Sequence, residues 1–414
     1  MQGNENAGQR SLPLYLALAL TCLLGWLFKA HCVLGGGWVD SIQYTSGCYS
    51  DAVPFWGGRG VADGQIPYFQ ARMEYPVLTG GLIWLAGTFT RALFGGSANA
   101  GDFLHIVTAF NAGLAFFTLW LMIREGVPRT RLWCWAFAPP LILYVGHNWD
   151  MLAVAFSVTA MLLARRHRLV AAAAAAALGV AAKLYPLLLL PLIGLQALFG
   201  KGAWLRRGVP RAAIVTLAAV AAWVAVNLPV ALFAFENWSE FYRFSGERVG
   251  TAASVWQILS DNHLWSASLA ERNFWSALIF FAGAATIVAL GWRRHREHLW
   301  TLFPAVLAWF LLTNKVYSPQ FDLWLYPLLV LTIPRLAPLA LFVLSDIAAY
   351  FAEFWMFAGM DGVSPSTTHG EIAVAAAIRA FAMLWAITQI VRSPAPPWLV
   401  NATPDVGDAR SAPG

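Results

Sequence analysis

An all-α polytopic membrane protein is the fold class this sequence predicts, and three observations carry the prediction. Of the 414 residues, 59% are hydrophobic and only 12% charged, against roughly 25% charged in a soluble domain. The apolar residues run on continuously over about 15 to 24 positions, not in the short alternating segments of a membrane β-barrel. The Lys and Arg residues fall in short clusters between those runs, so the net charge of +6 reads as a set of orientation signals and not as a nucleic-acid surface. Helices are then the remaining way to satisfy backbone groups in lipid.

Thirteen apolar segments follow along the chain, at about residues 11 to 33, 76 to 95, 103 to 123, 132 to 147, 150 to 164, 169 to 183, 187 to 200, 211 to 234, 274 to 291, 299 to 313, 320 to 334, 338 to 358 and 372 to 391. Several are shorter than the ~20 residues of a spanning helix, so their ends should extend into the polar connections. The N-terminus lacks a strong basic region and a small-residue cleavage site, and is expected to form an uncleaved first helix. The Ala run 171 to 177 fits close helix approach.

Orientation follows from four basic clusters, containing Arg124, Arg129 and Arg131; Arg165, Arg166 and Arg168; Lys201, Arg206, Arg207 and Arg211; and Arg293, Arg294 and Arg296. Placing all four in the cytoplasm is consistent only if the segment 76 to 95 does not cross. That segment holds Pro76, Gly80, Gly81, Gly87 and Arg91, poor helix material with a costly charge for a full span. It is expected to lie on the outer face, within a first loop from about 35 to 102. Twelve crossings remain, with both termini cytoplasmic. One transmembrane domain, residues 1 to 392, carries this loop and a second large outer loop at about 236 to 273. Residues 393 to 414 read as a disordered cytoplasmic tail.

With this topology the unusual polar residues collect on the outer face. They lie in the loop containing Tyr49, Asp51, Arg59, Arg72 and Glu74; in His147-Asn148-Trp149-Asp150; in Lys183-Leu184-Tyr185-Pro186; in the 236 to 273 loop with Glu247-Arg248; and in Asn314-Lys315-Val316-Tyr317-Ser318-Pro319-Gln320 with Asp322. Ionisable groups kept at helix ends beside a cavity are functional candidates. Asp51 has two readings, a general base held off regular helix by Pro54 and Gly57-Gly58, or the cap of a short helix. Glu74 is expected to cap or to pair with Arg72, and Asp150 either caps its helix or orients a hydroxyl. His147 reads as interfacial. Lys183, Lys315 and Arg248 are either snorkelling cations or the electrostatic partners of a phosphate. Aromatics around Arg248, including Trp238, Phe241, Tyr242, Phe244 and Trp256, suit carbohydrate faces or an interfacial belt.

The sequence has no P-loop, no GxGxxG after a strand, no HExxH and no DxD in its polar loops, so a soluble nucleotide donor is not expected. No cofactor and no metal-ligand set is assigned, and metal dependence stays open. Cys22, Cys32, Cys48 and Cys134 lack CxxC or metal spacing and read as apolar filler without a disulfide framework.

Five strings together, Tyr49-Ser50-Asp51, Glu74-Tyr75-Pro76-Val77-Leu78-Thr79-Gly80, Asn148-Trp149-Asp150, Lys183-Leu184-Tyr185-Pro186 and Asn314 to Gln320, resemble the actinobacterial membrane glycosyltransferases of family 87, in the GT-C superfamily. The resemblance spans nearly the whole chain. It implies juxtamembrane helices in the first outer loop, an active site on the extracytoplasmic face and a polyprenyl-phosphate sugar donor, with mannose the leading sugar. It also implies an inverting displacement onto a lipid or glycan acceptor with a first-loop Asp as base, a position Asp51 matches. The assigned substrate-binding set is Tyr49, Arg59, Glu74, His147, Asn148, Asp150, Lys183, Tyr185, Arg248, Lys315 and Gln320. A transporter or flippase of envelope precursors is the alternative, and it predicts charges near the midplane and repeat symmetry. A scaffold within an envelope-synthesis complex is a third reading.

Overall fold

A computed structural model describes residues 2–33, 36–200 and 205–401, without the side chains of 2–10 and 205–206. Among the described residues the chain is helical and contains no strand beyond an isolated bridge between Pro67 and Ala71. The helices are α1 (Gln2–Ala30), α2 (Ile42–Thr45), α3 (Ala52–Gly58), α4 (Val77–Phe94), α5 (Ala100–Arg124), α6 (Arg129–Ala136), α7 (Pro139–Tyr144), α8 (Met151–Arg165), α9 (Leu169–Val180) and α10 (Leu189–Phe199). They continue with α11 (Leu205–Phe233), α12 (Phe235–Glu247), α13 (Val255–Asp261), α14 (Leu269–His295), α15 (Phe303–Thr313), α16 (Asp322–Thr332), α17 (Ala337–Met360), α18 (His369–Arg392) and α19 (Pro397–Val400). Seven of the described helices are long and apolar enough to cross a membrane, which makes this a multi-pass architecture.

The apolar segment at 132 to 147 is two helices, α6 and α7, because Pro139 and Pro140 cannot continue the ladder of α6. The Ala-rich α9 is buried on Ala172, Ala173, Ala175, Ala176 and Ala177 and packs against α8 and α11. Small side chains there let the helix axes approach closely.

The bundle has a basic end and a site end. At the basic end Arg165 and Arg166 both meet Glu125, Arg131 donates to the carbonyls of Val330 and Ile333, and His295 contacts the Ile390 carbonyl. Lys201 of the third basic cluster lies outside the described residues. At the site end Gly101, at the start of α5, lies against Val33 just beyond α1. The α4 helix is apolar and long enough to span by length and composition, yet both of its ends attach at the site end. Leu78 N–H donates to Ala181 O and Thr79 Oγ1 to Ala182 O. Its far end passes through the turn Gly95–Ser97 into Asn99, which caps α5. Arg91 donates to Val61 O in the first loop and to Thr88 one turn back in α4. Gly80 is the residue that admits Tyr68, whose hydroxyl occupies the place a Cβ would need and donates to Tyr75 O.

Two expectations are corrected. Cys32 and Cys48 form a disulfide across 16 residues, with Cα atoms 6.6 Å apart; only the fold of the first loop brings two cysteines so spaced together. And the segment from Ser393 is packed as far as 400: Leu399 is fully buried and Trp398 lies over the guanidinium groups of Arg131 and Arg165. An aromatic over two cations gives this segment a dock that Pro-rich composition alone conceals. Residues 402–414 of the expected tail lie outside the described residues.

Candidate active site

Local chain geometry brings Asp51 into the bundle. Ser50 Oγ donates to Gly146 O at 2.6 Å, and Asp51 N–H to His147 O at 2.8 Å, which pins the start of α3 to the turn between α7 and α8. Asp51 precedes α3 but its carboxylate makes no capping bond. Instead it faces a cavity of about 590 Å³ and accepts from the Tyr75 hydroxyl at 3.0 Å. Burial raises its carboxyl to about 6, against the pull of Lys183 and of the Tyr75 and Tyr49 hydroxyls. Burial likewise raises Tyr75, helped by the charges of Asp51, Asp150 and Glu74, so Tyr75 stays a donor.

The cavity is lined by Tyr49, Asp51, Glu74, His147, Lys183, Tyr185, Arg248, Lys315 and Gln320 among others. Nine of the twelve residues singled out from the sequence thus converge on one space, although they come from six separate stretches of chain. Arg59 lines a smaller cavity of about 190 Å³, of which Tyr49, Asp51, Glu74 and Tyr75 are also walls. Asn148 and Asp150 stand behind the wall. Asn148 Oδ1 accepts from Asp150 N–H, and its carbonyl accepts from Asn111.

The three cations divide. Lys183 Nζ pairs with Asp150 at 2.7 Å, and Asp150 also accepts from Trp324 Nε1 at 2.8 Å. Lys315 and Arg248 have no carboxylate within ion-pair distance among the described residues. Lys315 donates to Gly246 O at 2.6 Å, and burial together with the neighbouring Arg248 charge lowers its ammonium. Two cations that repel one another beside a cavity suit a dianionic or monoanionic group between them.

Several assignments change. Glu74 pairs with Arg59 at 2.7 Å, and Arg72 with Glu240, so the expected Glu74–Arg72 pair is not formed; the chain turns between Arg72 and Glu74 and sends them to opposite neighbours. Asp150 makes no capping bond, since Lys183 and Trp324 claim its oxygens. His147 is buried, not interfacial: its Nδ1 lies 3.3 Å from Lys29 Nζ. Nor do the charges gather at one face. Asp346 and Arg379 sit midway along α17 and α18, where Arg379 pairs with Asp322 at 3.1 Å and Tyr144 donates to Asp346. Asp322 is fully buried in this cluster and also accepts from Tyr317.

Sequence reasoning missed Lys29, Glu353 and Trp324. Lys29 is fully buried at the end of α1, where it donates to Gly47 O, Tyr49 O and the Tyr350 hydroxyl. It thereby fixes the loop that carries Asp51. Gly47, at φ +71, supplies the turn that aims its carbonyl at that ammonium. An ionisable residue inside an apolar run is the available signal for Lys29 and Arg379, and for Asp346 and Glu353, which share α17.

No protein-family model and no curated protein matches the chain.

Proposed function

We propose that this protein is an inverting membrane glycosyltransferase with a GT-C-type fold, moving a sugar, mannose in the leading case, from a polyprenyl phosphate to an envelope lipid or glycan hydroxyl. The observation that carries the reading is the composition of one cavity: a half-buried carboxylate, Asp51, shares it with two cations, Arg248 and Lys315, that have no carboxylate partner among the described residues. Such a transfer needs one base for the acceptor hydroxyl and a positive field for the departing phosphate. In a single displacement the acceptor oxygen attacks the anomeric carbon, its proton passes to Asp51, and the anomeric C–O bond breaks toward the phosphate. The phosphate leaves as an anion beside Lys315 and Arg248, and no second acid is required. Lys183 acts through Asp150 to hold the wall that carries Tyr185 and Trp324.

In this reading the site end is extracytoplasmic. The basic end then faces the cytoplasm, in keeping with the positive-inside bias, and the Cys32–Cys48 disulfide lies in an oxidising compartment. The attachment of both ends of α4 at the site end supports a non-crossing α4, with twelve passes and both termini cytoplasmic. Incubation of purified protein with labelled polyprenyl-phosphate mannose and envelope lipid acceptors tests the activity. Labelled acceptor is the expected product, and hydrolysis or no turnover with any acceptor tried argues against transfer.

A second reading, export or flipping of an envelope precursor, draws on Asp346 and Arg379 at mid-helix. Both belong to a buried cluster in which Arg379 already meets Asp322 and Tyr144 meets Asp346, which favours a fixed structural role. Scrambling of a labelled polyprenyl phosphate in proteoliposomes separates the two readings.

A further inference from the structure

We propose that Glu353 recognises the sugar: its carboxylate forms the hydrogen-bonding floor for the hydroxyl edge of a neutral pyranose ring seated in the large cavity. The inference rests on the sugar-transfer reading above and deepens it.

Glu353 lines the cavity from α17 and is 3% exposed. Its Oε2 has no hydrogen-bond partner among the described residues, and no cation lies within ion-pair distance of it there. The acids around it each have at least one donor, although Asp346, held by Tyr144 on Oδ1, also keeps its Oδ2 unpartnered among the described residues. Asp51 has Tyr75, Asp150 has Lys183 and Trp324, and Asp322 has Arg379 and Tyr317. A desolvated carboxyl oxygen left without a donor is costly, so the missing donor is expected from whatever fills the cavity.

The surroundings select the class of donor. Arg248 acts electrostatically on Glu353 and stands beside Lys315, so a cationic ligand meets opposing charge. Arg379 also acts on Glu353 electrostatically, but lies outside ion-pair distance and meets Asp322 through Nη1. Aromatic rings line the same cavity: Phe354 lies 5.8 Å from Tyr49, and Phe357 lies 5.5 Å from Tyr44, ring centre to ring centre. A carboxyl group in a cavity with aromatic faces fits a molecule with an apolar face and a rim of hydroxyls. A hexose has both, and a site built to accept from a hydroxyl discriminates strongly against a ligand that lacks it.

The test measures binding of polyprenyl-phosphate mannose, polyprenyl-phosphate glucose and sugar-free polyprenyl phosphate to the full-length protein in nanodiscs. Wild type should bind at least one glycosylated lipid about tenfold more tightly than the bare lipid phosphate. Glu353→Gln should erase that preference while leaving bare-lipid affinity within about twofold. Glu353→Asp keeps the charge but draws the oxygens back, and should lose most of the preference as well; its intact preference would show that only a counter-charge for Arg379 matters and would overturn the proposal. So would a wild type without sugar preference, or variants that lose bare-lipid binding in parallel. If wild type binds none of the three lipids, the lipid-phosphate reading fails, and Glu353 recognition with it. If bare-lipid binding and transfer persist but Glu353→Gln keeps the preference, only the Glu353 role fails.

Discussion

Lys183 is bound to Asp150 at 2.7 Å, with the aspartate almost completely buried and the lysine largely so. That contact takes Lys183 out of contention as a free phosphate ligand and makes it a support for the cavity wall. Lys183→Ala should therefore act mainly on stability, because it strands a buried carboxylate, at a cost of about 3–5 kcal/mol. The expected readout is a lowered thermal midpoint in detergent, with partial recovery when Asp150→Leu is added to Lys183→Met. A Lys183→Ala protein with wild-type stability and only weakened lipid binding contradicts the assignment.

Arg248 and Lys315 should behave in the opposite way. Each is expected to contribute a charge-assisted hydrogen bond to the lipid phosphate, worth about 1.5–3 kcal/mol. Arg248→Ala and Lys315→Ala should each weaken polyprenyl phosphate binding by roughly 10- to 100-fold. The thermal midpoint should stay near wild type, since among the described residues neither cation holds a buried acid.

The Asp51 carboxyl, pushed up to about 6 by burial, sets two pH dependences of opposite sense. As a base it works ionised, so transfer should rise about tenfold per pH unit up to about 6 and level off above. Its contribution to folding runs the other way. The raised value favours the protonated folded protein, so that stability is fully present below the ordinary carboxylate range near 4 and is lost as pH rises through about 6. Asp51→Asn should therefore be more stable than wild type above pH 6, relative to their difference at pH 4. Thermal melts of both proteins across that range check the sign.

Much of the site was legible in the sequence because its residues sit in polar strings between apolar runs, where position along the chain already implies a common side. Asp51, Lys183, Arg248 and Lys315 are of this kind. What the sequence could not supply was pairing. Whether Lys183 meets Asp150 or a ligand, and whether Glu74 meets Arg59 or Arg72, depends on contacts between segments far apart in the chain. Lys29, Asp346, Glu353 and Arg379 were hidden for another reason. Each lies in a long apolar helix, Asp346 and Glu353 in the same one, and mean hydropathy averages these charges away although their burial is energetically conspicuous. The Cys32–Cys48 pair was missed because its spacing belongs to no motif and its approach is made by the loop fold.

The Cys32–Cys48 bridge closes a loop whose constraint is worth roughly 3 kcal/mol for about 15 residues in the chain-entropy view. Cys48→Ser should lower the thermal midpoint, and the wild-type protein should resist thiol alkylation at both positions until reduced. Separately, Ser97→Cys, in a background free of other accessible thiols, should react with an impermeant maleimide added outside intact cells. Labelling only from the cytoplasmic side contradicts a non-crossing α4.

The most direct measurement compares wild type with Asp51→Asn in transfer of mannose from polyprenyl-phosphate mannose to an envelope lipid acceptor at pH 7.5. The substitution keeps the shape of the side chain and its bond to Tyr75 while removing the base. Turnover should fall by about 10²- to 10⁴-fold with donor binding nearly unchanged. Robust transfer by wild type that Asp51→Asn sustains at the same rate would contradict Asp51 as the catalytic base and the mechanism built on it.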